Sequence, residues 1–236
     1  MNTLTNNTIN YIKQLRDLSC GQTFILFQKK IIKTNKEIIG VKVPEIRRLA
    51  KVVVKNNDYD KLENINYNCF EEVLLKTLVI SMIKDKEQLK KEIEKIIKYF
   101  DCWAEVDTLA SSIKIIDKNT QDFEWFKSFL SSEHEFIQRF GVVGLMKFFI
   151  QEEWLEPTFN TLKSIKCSKY YVDMAIAWLI AEVLIKNQQN NIKIMQKIIK
   201  NAYFSKFIIN KAIQKACESY RINKNDKEIL KGMKIK

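Results

Sequence analysis

Apolar residues recur along most of this chain at the spacing of one helix face. Ile9, Ile12, Leu15 and Leu18 predict a short helix over 8–18, and 24–32 reads as a second, amphipathic helix ending in Lys29 and Lys30. Gly40 then permits a turn, and Pro44 suits the first turn of a helix striped by Ile46, Leu49, Ala50, Val53 and Val54. From there the pattern repeats. An apolar helix is predicted over 70–83 and an amphipathic basic one over 86–100, with Ile93, Ile96 and Ile97 facing inward. Next come an apolar helix over 102–116, with a break near Ser111 and Ser112, and a helix over 122–130 carrying Phe123, Phe126 and Phe129. A long helix over 133–150 pairs with one over 154–165 that holds Pro157 in its first turn. The segment 170–186 is almost wholly apolar, hence buried, and 192–202 partners it; 207–220 and 226–233 make the last pair.

The pairs recur at a period of roughly 25 to 40 residues, near the range of helical-hairpin repeats. Their mutual identity is low, so the period is one of structure. The expected architecture is all-α: a HEAT-like helical-repeat solenoid, an α-α superhelix with a concave basic face, formed as a single domain over 1–236. A compact irregular helical bundle is the alternative. Only 5 Gly and 2 Pro in 236 residues argue in the same direction, against a turn-rich all-β fold.

Charge brings in a partner. Lys and Arg exceed Asp and Glu by 12, and a protein this basic favours polyanions such as DNA, RNA or acidic lipid. The chain is also rich in Lys, Asn and Ile, so part of the lysine excess reflects compositional bias. Arginine occurs only at Arg16, Arg47, Arg48, Arg139 and Arg221. The cysteines, Cys20, Cys69, Cys102, Cys167 and Cys217, are odd in number and widely spaced, and His134 is the one histidine. That pattern offers no structural zinc set and fits reduced thiols. The first ten residues are polar, without the apolar block of a signal peptide, and no run is long enough to span a membrane. No metal or cofactor is expected, and the chain is expected to be a monomer in the bacterial cytosol or nucleoid.

Candidate chemistry centres on 100–112. Within a helix, Trp103 and Asp107 lie one turn apart on one face, so an indole can lie against a sugar or base while a carboxylate approaches a developing positive charge. On spacing alone, a core tryptophan beside a capping or solvated aspartate is the plainer reading. Arg139 could pair with Glu135 one turn before it, and Trp178 could be core. Trp125 and Trp154 read as packing residues, His134 as a helix-start residue, and the lysines over 84–98 as a solvated face. Lys211 and Lys215, one turn apart, are candidate phosphate contacts.

Four stretches together resemble the AlkD family of DNA alkylation repair glycosylases. They are Gly40-Val41-Lys42-Val43-Pro44-Glu45-Ile46-Arg47-Arg48-Leu49-Ala50-Lys51; Trp103-Ala104-Glu105-Val106-Asp107-Thr108-Leu109; Phe136-Ile137-Gln138-Arg139-Phe140-Gly141-Val142-Val143; and Val172-Asp173-Met174-Ala175-Ile176-Ala177-Trp178-Leu179-Ile180-Ala181-Glu182, with Asn210-Lys211-Ala212-Ile213-Gln214-Lys215 further on. The resemblance spans about 41–220. It implies HEAT-like repeats, binding of duplex DNA, and removal of cationic N3- and N7-alkylated purines such as 3-methyladenine and 7-methylguanine. The lesion would not be drawn into a deep pocket, as it is in most glycosylases. By position the resemblance makes Trp103, Asp107, Arg139 and Trp178 the catalytic group, with Arg139 also on a DNA phosphate. Two alternatives stay open: a non-catalytic relative that binds branched or distorted DNA, and a HEAT-like protein-interaction scaffold.

Overall fold

Small polar side chains mark where helices begin, each accepting one of the amides that a first turn leaves free. Asp85 takes the amide of Gln88 at 2.7 Å, Asn119 that of Asp122 at 2.8 Å, and Asn223 that of Asp226 at 2.8 Å. Ser205 does the same for Ile208, and the Cys69 thiol accepts from Glu72 at 3.3 Å. The computed structural model describes residues 5–62, 67–165 and 169–236. The side chains of Ile9 and Cys167 fall outside the described ones. Thirteen α-helices and no strand occupy the described residues, apart from a one-residue parallel bridge between Glu37 and Cys69. None of these helices is long and apolar enough to cross a membrane.

The chain divides into two compact units, Met1–Ile116 and Asp117–Lys236. The first holds α1 (Thr5–Asp17), α2 (Gln22–Ile31), α3 (Val43–Lys55), α4 (Phe70–Ile80), α5 (Lys86–Ile96) and α6 (Trp103–Ser112). Its centre is α4, every residue of which is buried. Helices α3 and α6 pack on α4, α5 folds back on it, and α1 lies across α3 and α4. Apolar burial alone does not explain α4, because Glu71 is fully buried within it. Its carboxylate accepts the backbone amides of Ile39, Gly40 and Val41 at 3.1, 2.9 and 3.2 Å. Three convergent amides suit an anion, and the left-handed φ of +81° at Gly40 helps turn them inward. A side chain at Gly40 would also strike Ile25, 2.6 Å from the Cβ position. Burial still pushes the Glu71 carboxyl above its ordinary range, with the amides pulling the other way.

The second unit holds α7 (Thr120–Ser128), α8 (Glu135–Phe148), α9 (Glu152–Lys163), α10 (Tyr170–Lys186), α11 (Asn191–Lys200), α12 (Lys206–Glu218) and α13 (Lys224–Gly232). Helices α8, α10 and α12 pack in succession, with α7 against α8, α11 against α10 and α13 against α12 and α11. Successive helical hairpins stacked in this way are the layout of a helical-repeat protein. An aromatic cluster joins the first three helices. Trp125 lies against Phe126, Phe129 and Phe140, and Trp154 stacks on Phe123 and meets Phe149 edge-on.

Several expected boundaries move. Helix α6 stops at Ser112, at the expected break, and does not resume to 116, because Ile113 turns to extended backbone. Helix α7 begins at Thr120, two residues early, because Asn119 caps it and the buried Asp122 carboxylate reaches back to the Asp117 amide at 2.9 Å. Helix α9 begins at Glu152, so Pro157 sits inside it rather than in its first turn. There it removes one backbone donor from the helix.

Close approach dictates the glycines of α8. A Cβ at Gly144 would lie 2.1 Å from the Phe126 ring, and one at Gly141 would lie 2.8 Å from the Phe126 carbonyl. Gly144→Ala is expected to lower stability by about 1–3 kcal/mol through overpacking. Gly232→Ala, where the Cβ meets nothing within 4 Å, should change stability little. Urea midpoints of the two variants check this.

Candidate active site

Helix α6 is held at both ends. At its start, Glu105 is the third helical residue, and its Oε2 accepts the Asp101 amide at 2.9 Å, one turn back. The Lys36 ammonium lies 2.7 Å from Asp101 Oδ1 and 3.0 Å from Glu105 Oε1, and donates to the Tyr99 carbonyl at 2.7 Å. Thr34 and the Asn35 amide complete the grip on Asp101, at 2.5 and 2.9 Å. At the other end, Arg47 Nη1 on α3 donates to the Ser112 hydroxyl at 3.0 Å.

The electrostatics of the base follow from burial. Glu105 is 0% exposed. Desolvation pushes its carboxyl up to about 7, against the pull of Lys36 and the Asp101 amide. Burial also acts to raise Asp101, but Lys36, Thr34 and the Asn35 amide outweigh it and hold that carboxyl below its ordinary value. The Cys102 and Cys69 thiols are pushed far up by burial, with nearby Glu105 and Glu72 adding to it. Asp101, Cys102 and Glu105 bring three possible ligand atoms within 4.8 Å of one another. The Lys36 ammonium supplies the countercharge there.

From this base α6 presents Trp103 and Asp107 one turn apart, both half-buried. The Trp103 indole N–H points to the Ile31 carbonyl at the end of α2, at 3.4 Å. The first unit therefore delivers an indole and a carboxylate on one rigid helix, as the spacing predicted.

Arg139 and Trp178 belong to the second unit, on the packed pair α8 and α10. Arg139 is 6% exposed. Its Nη1 donates to the Tyr171 carbonyl at 2.6 Å, while Glu135 accepts the Tyr171 amide at 2.6 Å. The expected Glu135 partnership is thus a shared grip on the first turn of α10. Trp178 is half-buried, and its N–H donates to Glu182 Oε1 at 3.3 Å; Arg221 lies 3.7 Å from the other oxygen of Glu182. One turn further along the same face, burial holds the Lys186 ammonium below its usual range, with Lys118 and Arg221 reinforcing and Glu182 opposing. Lys211 and Lys215 sit one turn apart on α12, both half-buried. His134 stands immediately before α8 without a side-chain cap bond.

The family model described as DNA alkylation repair enzyme matches residues 15–216. The chain belongs to that family. Membership places it in DNA alkylation repair and implies an interaction with DNA. The match begins at residue 15, so it takes in the end of α1 and all of α2, ahead of the stretches that carried the resemblance. No curated protein and no solved structure matches the chain.

Sequence reasoning gave no role to Lys36, Asp101, Glu105 or Arg47. A glutamate at the third helical position was the one available signal. Lys36 lies 65 residues from Asp101 and carried none.

Glu105 binds its proton more tightly in the folded chain, at about 7 against an ordinary 4.5. Its contribution to stability is therefore complete below about pH 4.5 and is lost as pH rises toward about 7. Glu105→Gln removes that titration. Urea midpoints taken across this window should show the native protein losing stability, relative to the variant, as pH rises.

Proposed function

We propose that the protein is a monofunctional DNA glycosylase that hydrolyses the N-glycosidic bond of cationic N3- or N7-alkylated purines in duplex DNA. The observation that carries this reading is the pairing of Trp103 with Asp107 on a helix clamped at both ends, in a chain of the alkylation repair family.

An alkylated N3 or N7 purine already bears a positive charge and leaves without protonation, so the reaction needs no general acid. As the C1′–N bond breaks, its electron pair goes to the base and positive charge builds on the deoxyribose. A carboxylate beside that sugar stabilises the transition state more than the ground state. Asp107 takes this part and orients the water that adds to C1′, the water's proton passing to solvent. Trp103 and Trp178 offer ring faces to the sugar and backbone, adding stacking and cation–π attraction. Arg139 is assigned the phosphate beside the lesion, as a cation already oriented by the Tyr171 carbonyl. Lys211 and Lys215 contribute further backbone contacts.

Burial of Arg139 favours a second reading, in which it is chiefly a brace between α8 and α10 and the protein binds branched or distorted DNA without excision. Gel shifts with junctions and plain duplex distinguish the two.

Duplex containing 7-methylguanine should release free base above the spontaneous rate under single-turnover conditions. Asp107→Asn should slow that release by about 10²–10³-fold while leaving DNA affinity within a factor of about two. Duplex with a neutral modified base such as hypoxanthine should not react. No release from protein shown to be bound to the lesion duplex rejects the glycosylase reading.

A further inference from the structure

One face of α12 carries Lys206, Phe207, Asn210, Lys211 and Gln214, and together with Lys234 these line an open groove of about 600 Å³. The far wall comes from the tail after α13, and its position is set by Asn210. The Asn210 side-chain amide donates to the Ile235 carbonyl at 2.9 Å and accepts the Ile235 amide at 2.9 Å. This two-way pairing fixes the residue next to Lys234. Helix α13 is itself tied down by its packing on α11 and α12 and by a 2.9 Å bond from Asn191 to Asp226.

Three lysines and no acidic residue line this groove. Several other surface lysines stand beside carboxylates: Lys61 with Asp58, Lys95 with Glu92, Lys127 with Glu124, Lys197 with Glu156 and Lys231 with Glu228. No carboxylate lines the groove, and among the described residues none pairs with Lys206, Lys211 or Lys234. One aromatic ring shares the lining with these lysines. Phe207 is 37% exposed, and its ring centre is 6.2 Å from that of Tyr170, which is 60% exposed.

We propose that this groove grips the phosphodiester backbone of DNA, with Lys206, Lys211 and Lys234 on phosphate oxygens and Phe207 against a sugar or base. Uncompensated ammonium groups flanking exposed rings complement a chain of phosphates separated by flat, weakly polar groups. Lys234 lies beyond residue 216, where the family match ends, so this contact belongs to a part of the chain outside the matched region. The proposal rests on the DNA-binding part of the function above and is independent of catalysis.

The test is fluorescence anisotropy with a short undamaged duplex over a sodium chloride series. It compares the native protein, Lys206→Gln/Lys234→Gln, and Lys127→Gln as a control whose lysine is already paired. Both groove lysines are solvent-exposed, so the double variant should keep its native circular dichroism. Its affinity at low salt should fall about tenfold, and its plot of log affinity against log salt should be shallower by between about 1 and 2, near 0.9 for each phosphate no longer neutralised. Lys127→Gln should change neither. Unchanged affinity and slope in the double variant overturn the proposal, and so does weaker binding with an unchanged slope, since that excludes phosphate contacts. Tighter binding of a polyglutamate peptide than of duplex by the native protein, equally sensitive to the double change, would assign the groove to an acidic protein and overturn it too. A native protein that releases no base yet shows the slope change sinks the glycosylase reading and leaves this one standing.

Discussion

Two carboxylates share one ammonium at the base of α6, and the candidate site depends on that arrangement. Lys36 stands between Asp101 and Glu105, with its side chain only 10% exposed and that of Glu105 fully buried. Removing the lysine would leave Asp101 without its countercharge and drive the buried Glu105 further toward its neutral form, a larger penalty than losing a surface ion pair. The cluster joins a loop early in the chain to the helix that carries Trp103 and Asp107. That loop is in turn held by the Glu37–Cys69 bridge and by the three amides around Glu71. A line of dependence therefore runs from the left-handed turn at Gly40, through Glu71 on the buried helix α4, to the Lys36 loop and on to α6. Polar contacts hold this line together inside an otherwise apolar unit, and they are directional where apolar packing is not.

The proposed chemistry asks little of the protein beyond placement. A base that is already cationic brings its own leaving-group activation. What remains is to hold a sugar, a water and a negative charge in fixed relation, a task for rigid helices rather than for titrating side chains. A carboxylate on a helix braced at each end meets that requirement. The excess of 12 positive charges serves a separate need, attraction to a polyanion, and acts over distances at which a single carboxylate is negligible.

Helical periodicity showed most of the elements, because each helix hides one face and the apolar spacing records it. Pro44 in the first turn of α3, the aromatic packing of Trp125 and Trp154 and the helix start after His134 were all readable. Boundaries set by a side chain reaching back along the chain were less so. Asn119 and Asp122 extend α7 toward its start by contacts that apolar patterning ignores, and Pro157 is tolerated inside α9 against local preference. Trp103 and Asp107 were visible as a pair because both lie on one helix. Lys36, Arg47 and Glu71 were not, since their partners are 65, 65 and about 31 residues away and any other lysine, arginine or glutamate looks the same in one sequence. Of the residues that line the α12 groove, Lys211 was readable as a candidate phosphate contact, whereas Lys206, Phe207, Asn210 and Gln214 are ordinary in the sequence. Only the return of the tail onto Asn210 sets Lys234 opposite them.

The buried thiols have a further consequence. Electrophiles that methylate purines also attack sulfur, and they do so through the thiolate. Cys69 and Cys102 are enclosed where the anion is strongly disfavoured, and Cys217 is shifted in the same direction. The two that sit within the folded core beside Glu72 and Glu105 are thereby kept as neutral, unreactive spectators. Among the described cysteines Cys20 alone stands in open solvent, so it is the sulfur most open to a methylating agent.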